Sequence, residues 1–447
     1  MLSSKRLNIR VVLAFAFLAL FLIWSIAGLG VTSKSKLLPL SGEPSQARQL
    51  PCHELPGASD TLVILRTGST EIDDRFAVHL STSIRCFPNY LIFSDLDEDY
   101  LGEHIIDALA DVDQKYKENS PDFDLWRRLQ NGGRSTLATS ELAGDPDRFS
   151  SMTGKADNPG WKLDKWKFLP MVNRTLHQRP NMKWYVFIEA DSFLLWSQLL
   201  QYLSVLDPFQ PIYAGSQMFA NGDIFAHGGS GFIVSQPALR QIVPYYSANK
   251  AAIEQFTEGH WVGDAVLGKT FTDSGVRFKN AWPAFQGDYP GLVPYARADG
   301  RSVPDESLRE WCYNTISYHH MSPSMIRELW SFEQEWMTKH NATSETIRHK
   351  DIFTDLVMPQ MMSPRSDWDN LSDKEEGVLG SLEDCRRRCQ EQSECRQYSL
   401  DADQMCRTRV DPRLGKAVKD LRSGWIEDRI VDFQRNMAPC GSEGWPL

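Results

Sequence analysis

The sequence predicts an α/β fold: a mostly parallel sheet wrapped by helices, with a small disulfide-stapled α+β module behind it. Three observations point there. Short apolar, β-branched runs at 61–66 (TLVILR), 89–94 (NYLIFS) and 183–188 (KWYVFI) alternate with segments of helical spacing. A composition break at 358–380 precedes five of the eight cysteines: Cys385, Cys389, Cys395, Cys406 and Cys440. Hydrophobic residues at 42% and charged residues at 24% match globular usage, which excludes wholesale disorder and fibrous repeats. The length of 447 residues suggests two to three domains. A net charge of −10 provides no global basic field for generic nucleic-acid binding.

The N-terminus predicts the compartment. Residues 11–31 carry no charge, and 21 residues at ~1.5 Å each span ~31 Å, one hydrocarbon thickness. Lys5, Arg6 and Arg10 precede the run, and Lys34 and Lys36 follow it, which favours a cytoplasmic tail at 1–10 and a lumenal body. A cleaved signal peptide is the rival reading, but its apolar region is typically about 7–15 residues. The polar stretch 32–56 reads as a stem. Three sequons, at Asn173, Asn341 and Asn370, suit a lumenal glycoprotein. There, eight cysteines read as disulfides rather than a metal cluster. A P-loop, HExxH, GxSxG and zinc-type cysteine pairs are all missing from the sequence.

Taken in order, the run 61–66 is a buried strand that ends at Arg66 before Thr67-Gly68-Ser69. The run 89–94 is a second strand, ending at Asp95. Residues 99–117 show helical spacing, and 130–159 reads as a Gly-, Ser- and Asp-rich loop. An amphipathic crossover helix at 160–177 leads to the strand 183–188, which stops at Glu189-Ala190-Asp191; 197–206 is again helical. This main domain is placed at 57–345, a linker at 346–378 and the cysteine-rich module at 379–440. Parallel sheets bind ligands at the C-terminal ends of their strands, where Arg66, Asp95, Glu189 and Asp191 all sit.

Two carboxylates at i and i+2, Glu189 and Asp191, offer oxygen ligands of the kind that suit Mn²⁺ or Mg²⁺. The plainer reading is two solvated carboxylates at a turn. The neighbours sharpen the choice. A bend at Gly228-Gly229-Ser230-Gly231 precedes another apolar strand, and a glycine such as Gly229 permits close approach of a ligand. Asp264 stands at the expected start of a helix, and His319-His320 precede another. Arg66 and Lys165 are expected either to contact phosphate or to pair with carboxylates.

These segments resemble, in order, the fringe-like and core-1 galactosyltransferase group of β1,3-glycosyltransferases (glycosyltransferase family 31), in its fungal type. The resemblance covers about residues 60–340. It rests on Leu91-Ile92-Phe93-Ser94-Asp95, the segment 184–193 around Glu189-Ala190-Asp191, the segment 228–235, Gly263-Asp264-Ala265-Val266-Leu267-Gly268, and Ser317-Tyr318-His319-His320. It implies a Rossmann-like GT-A domain, a UDP-sugar donor, Mn²⁺ and inversion at the anomeric carbon. It implies Asp191 and His319 as metal ligands, with His320 the less favoured histidine. Asp95 would lie near the nucleotide base, and Asp264 would be the catalytic base. Glu189 stands where the family has Asp, still a metal-ligand candidate, and Ala190 lacks the middle acid.

The spacing Cys385-x3-Cys389-x5-Cys395-x10-Cys406, with Ser423-Gly424-Trp425 behind it, resembles a PAN/apple module. That match implies pairs Cys389–Cys395 and Cys385–Cys406. It leaves Cys312 as a candidate partner for Cys440, and Cys52–Cys86 to complete an even count. The expected protein is thus a Golgi or ER type II membrane glycosyltransferase. It would move galactose or N-acetylglucosamine to a glycan or glycoprotein acceptor, with nucleic acid no partner and the oligomeric state open. The alternative is a catalytically silent lumenal binder of carbohydrate or protein that keeps the fold.

Overall fold

The computed structural model describes residues 51–143, 158–295, 310–340, 344–437, 439–441 and 444–446. The expected anchor at 11–31, its flanking tail, most of the stem and the sequon at Asn341 lie outside the described residues. Among the described residues no helix is long and apolar enough to cross a membrane.

The chain is mixed α/β around a large, mostly parallel sheet. In chain order the strands of the main body are β1 (Thr61–Arg66), β2 (Tyr90–Ser94), β3 (Glu98–Tyr100), β4 (Glu103–Asp107), β5 (Trp184–Glu189), β6 (Phe193–Leu194), β7 (Tyr213–Gly215), β8 (Gln217–Ala220), β9 (Asp223–Ala226), β10 (Phe232–Ser235), β11 (Phe278–Asn280) and β12 (Ser317–Tyr318). Eight of them form one sheet in the order β11-β7-β10-β5-β1-β2-β4-β3. β1 pairs in parallel with β2 and β5, and β2 with β4. β10 runs antiparallel beside β5.

Side chains alternate along a strand, so a central strand must be apolar on both faces. Val63, Leu65, Val186 and Ile188 enter one core with Trp196 and Leu199 of the helix Trp196–Ser204. Leu62, Ile64, Tyr185 and Phe187 enter the other with Phe168, Leu169 and Val172 of the crossover helix Pro159–Gln178. This double coverage is why β1 reads as an unbroken apolar run. Asn158 caps the crossover helix through Gly160 N–H at 2.8 Å, and Pro159 follows in its first turn.

The C-terminal module is a second sheet of β13 (Arg365–Asp369), β14 (Lys374–Val378), β15 (Gln397–Leu400), β16 (Met405–Arg409) and β17 (Lys416–Trp425), in the order β13-β17-β15-β16-β14. The helix Leu382–Gln390 packs on it, held by Cys385–Cys406 and Cys389–Cys395. Cys52–Cys86 and Cys312–Cys440 complete the disulfides. Leu414, Trp425, Ile430 and Phe433 share a core with Tyr289, Val293 and Trp311, so module and main body pack as one piece.

Several expectations need correction. Residues 99–117 are not one helix: β3 and β4 form a hairpin, and a helix occupies only Gln114–Asn119. Leu101 and Gly102 both take positive φ, at 51° and 93°, a two-residue turn whose twist suits a hairpin. Within 130–159, helical turns reach Glu141, and residues 144–157 lie outside the described residues. The span 346–378 is no simple linker, because β13 and β14 are strands of the module's own sheet. The stem boundary also moves, since Cys52 is buried and its carbonyl accepts from Trp196 Nε1 at 2.9 Å.

Two sequons change meaning. Asn370 is fully buried, and its Nδ2 donates to the Tyr398 and Gly424 carbonyls at 3.1 Å each. Asn173 sits inside the crossover helix, and its sequon threonine, Thr175, is fully buried.

Candidate functional site

Three segments meet at the C-terminal end of β5. The chain leaves β5 at Glu189, passes Ala190 and Asp191, and enters β6. β12 pairs antiparallel with β6, with Tyr318 opposite Phe193. That register carries His319 and His320 alongside Asp191, and Met321 N–H donates to the Asp191 carbonyl at 2.8 Å. β10 runs opposite to β5, so the bend before it, at 228–231, also arrives at this end. Gly231 N–H closes that bend on the Gly228 carbonyl at 3.0 Å, and Gly231 has φ 80°, which glycine adopts without strain.

Asp191, His319 and His320 each offer a ligand atom, all within 4.8 Å of one another. His319 Nε2 lies 3.2 Å from Asp191 Oδ1, and His320 Nδ1 lies 3.9 Å from Asp191 Oδ2. The two rings stack with centroids 3.9 Å apart. Consecutive side chains reach one ligand position because His320 takes φ 56°, a left-handed conformation costly for a non-glycine residue. A Cβ at Gly229 would overlap the His319 ring, so the bend's missing side chain makes room for the ligand group. The mixed set of two imidazoles and a carboxylate suits Mn²⁺, Fe²⁺ or Zn²⁺ better than Mg²⁺, which prefers oxygen alone.

Burial opposes charge on Asp191, but His319 and His320 outweigh it and hold the carboxyl well below its usual range. Burial lowers His319, but Asp191, joined by Glu189 and the Gly287 backbone, raises it on balance to about 9. His320, buried and beside His319, is pushed down to about 3. His227 follows the same logic, also falling to about 3 by burial and then by the two histidines; its Nδ1 lies 2.7 Å from Ser230 Oγ.

Glu189 stands apart from this group. One of its oxygens pairs with Arg66, and the other lies 3.9 Å from His319 Nε2. Burial pushes its carboxyl up against the pull of Arg66. Ala190 is buried in the apolar core, and its carbonyl lies 2.8 Å from the Nε2 of buried His79, so the middle of the triplet has a packing role.

Asp264 enters through the same bend. It lies in the first turn of the helix Gly263–Asp273, buried, with Oδ2 accepting from Gly228 N–H and Oδ1 from Ala265 N–H, both at 2.9 Å. Burial raises its carboxyl to about 7, against the Gly228 hydrogen bond and the field of Arg66. Adjacent residues of one bend therefore touch Asp264, through Gly228, and the Asp191, His319 and His320 group, through Gly229. Ser192 Oγ fixes Gly229 by donating to its carbonyl at 2.6 Å.

The remaining expected residues fall differently. Arg66 pairs with carboxylates, bonding Asp164 at 2.7 Å as well as Glu189, and its guanidinium covers the Phe168 ring at 3.9 Å. Lys165 faces away from the group, pairing with Asp122 at 2.9 Å and donating to the Glu258 carbonyl. A step of about 100° per helical residue separates it from the face that carries Asp164, Lys167 and Phe168. Asp95 is fully buried: Oδ1 accepts from Ser69 N–H at 2.8 Å, and Oδ2 lies 3.4 Å from Lys167 Nζ. It anchors the loop after β1 rather than presenting a free carboxylate.

Sequence reasoning missed Asp164, Lys167, His227 and Glu71, whose carboxyl burial pushes to about 8, with Asp191 adding to the shift. A usable signal existed for Asp164 and Lys167, since both share the face of the crossover helix that carries Phe168 toward the sheet.

No known protein family's sequence profile matches the chain, and no curated protein matches it.

Proposed function

We propose that the chain is a metal-dependent, inverting glycosyltransferase that moves a hexose from a UDP-sugar to a glycan or glycoprotein acceptor, in a β1,3 linkage. Galactose is the first choice of sugar and N-acetylglucosamine the second. The proposal includes a type II anchor at 11–31 in a Golgi or ER membrane. The observation that carries it is the glycine bend whose consecutive residues touch Asp264 and His319, at the ligand-binding end of a parallel sheet.

The residues divide the work by their chemistry. Asp191, His319 and His320 would hold a divalent cation, which neutralises charge growing on a nucleoside diphosphate leaving group. Ligation needs a neutral imidazole, so His319 must give up the proton that Asp191 stabilises. Asp264, with its carboxyl near 7, is poised to accept a proton from an acceptor hydroxyl at neutral pH. Arg66, tied to Asp164 and Glu189, positions carboxylates around the site.

A second reading has one specific observation in its favour. Both Asp264 oxygens already accept backbone N–H groups, which suits a structural carboxylate in a silent carbohydrate or protein binder. Release of UDP from a panel of UDP-sugars by the full chain, with Mn²⁺ or with chelator, separates the two. The transferase releases UDP from at least one donor in a chelator-sensitive manner. Absence of release from every donor, with or without glycan acceptors, contradicts it.

A further inference from the structure

A cavity of about 250 Å³ lies between the main body and the C-terminal module. Tyr289, Met321 and Leu329 line it from the first, and Arg365, Trp368 and Leu414 from the second. It adjoins the metal-ligand group, because Met321 follows His320 and bonds the Asp191 carbonyl. Polar groups converge on its walls. Ser324 and Glu328 come from the helix Pro323–Lys339, and Gln360 accepts from Arg365 Nη1 at 3.4 Å. The Arg365 guanidinium lies 3.5 Å from the Trp368 ring centre, and Trp368 Nε1 donates to the Leu414 carbonyl at 2.6 Å, fixing the ring.

We infer that this cavity binds an uncharged sugar ring, the acceptor end of the substrate in the transfer proposed above. Its role in that reaction rests on the transferase reading; the binding itself does not. A pyranose has apolar C–H faces and a rim of hydroxyls. Aromatic and aliphatic walls match the faces, while a guanidinium, a carboxylate and an amide match the rim. A phosphate-bearing ligand fits poorly: the lining sets the Glu328 carboxylate beside a single Lys or Arg side chain, Arg365, and so offers no net positive charge.

The test is saturation-transfer NMR on the full chain in detergent with methyl β-galactoside, methyl β-N-acetylglucosaminide and methyl α-mannoside, without donor or metal. At least one glycoside is expected to bind. Trp368→Ala is expected to weaken it about tenfold or more. Ser324→Trp, at an exposed rim position, is expected to do the same without disturbing the core. Both variants should release UDP from the donor alone as the parent does. Failure of all three glycosides to bind, or undiminished binding in Ser324→Trp, overturns the inference. Glycoside binding that Ser324→Trp abolishes, with no UDP release from any donor, upholds the cavity and overturns the transferase reading. UDP release with no glycoside binding does the reverse.

Discussion

At the scale of single residues, the site depends on Asp264 and on the backbone beneath His319. Asp264→Asn keeps an oxygen for the Gly228 N–H but loses the proposed base. Turnover should fall on the order of 10²–10⁴-fold with donor affinity nearly unchanged, as steady-state kinetics and UDP titration will show. The same group sets a pH dependence. Its folded pKa of about 7 exceeds the unfolded value near ~3.9, so folding favours the protonated form. Stability from this group is present at low pH and lost as pH rises toward 7. Asp264→Asn costs the Ala265 N–H its acceptor at any pH, but it removes the buried charge, so its effect on melting temperature should be more favourable at pH ~8 than at pH ~5. Activity should show the opposite slope, falling as pH drops through the same range. The imidazoles add a separate trend: cation binding displaces a proton from His319, so Mn²⁺ affinity measured by calorimetry should rise with pH up to about 9. Gly229→Ala places a methyl into the His319 ring and should weaken Mn²⁺ binding roughly 10–100-fold, the usual cost of disturbing a ligand's support.

At the scale of elements, Asn370 shows how a motif can mislead. Its sequon is intact in the sequence, yet its amide bridges the Tyr398 and Gly424 carbonyls across β15 and β17. Peptide mapping should find Asn370 without glycan. Asn370→Ala strands those two carbonyls, and denaturant unfolding should show a loss of roughly 2–4 kcal/mol. Strands buried on both faces, such as β1 and β5, were legible because nothing but apolar residues suits them. The hairpin of β3 and β4 was not, because Glu98, Asp99, Glu103 and His104 leave no apolar alternation and only Gly102 marks the turn. Asp191 and His319 were legible as chemistry at element ends. The entry of His320 was not, since it depends on a backbone conformation that spacing does not report. Lys165 failed for a geometric reason: one position along a helix decides whether a lysine meets the sheet or, as here, neighbouring segments at Asp122 and Glu258.

At the scale of the whole molecule, sheet topology brings together residues more than a hundred positions apart in sequence. Arg66 and Glu189 meet because β1 and β5 are parallel in register, and Asp191 and His319 meet because β12 pairs with β6. The module then closes against the main body through a shared core and the Cys312–Cys440 disulfide. In the proposed transferase, one cation and one diphosphate lie between Asp191 and Asp264. The most direct measurement is anomalous scattering at the manganese edge from crystals of the protein grown with Mn²⁺ and UDP. A peak about 2.0–2.4 Å from an Asp191 oxygen and from His319 Nε2, with the UDP phosphates beside it, is the predicted result. A peak elsewhere, or UDP bound with no metal at Asp191, would contradict it.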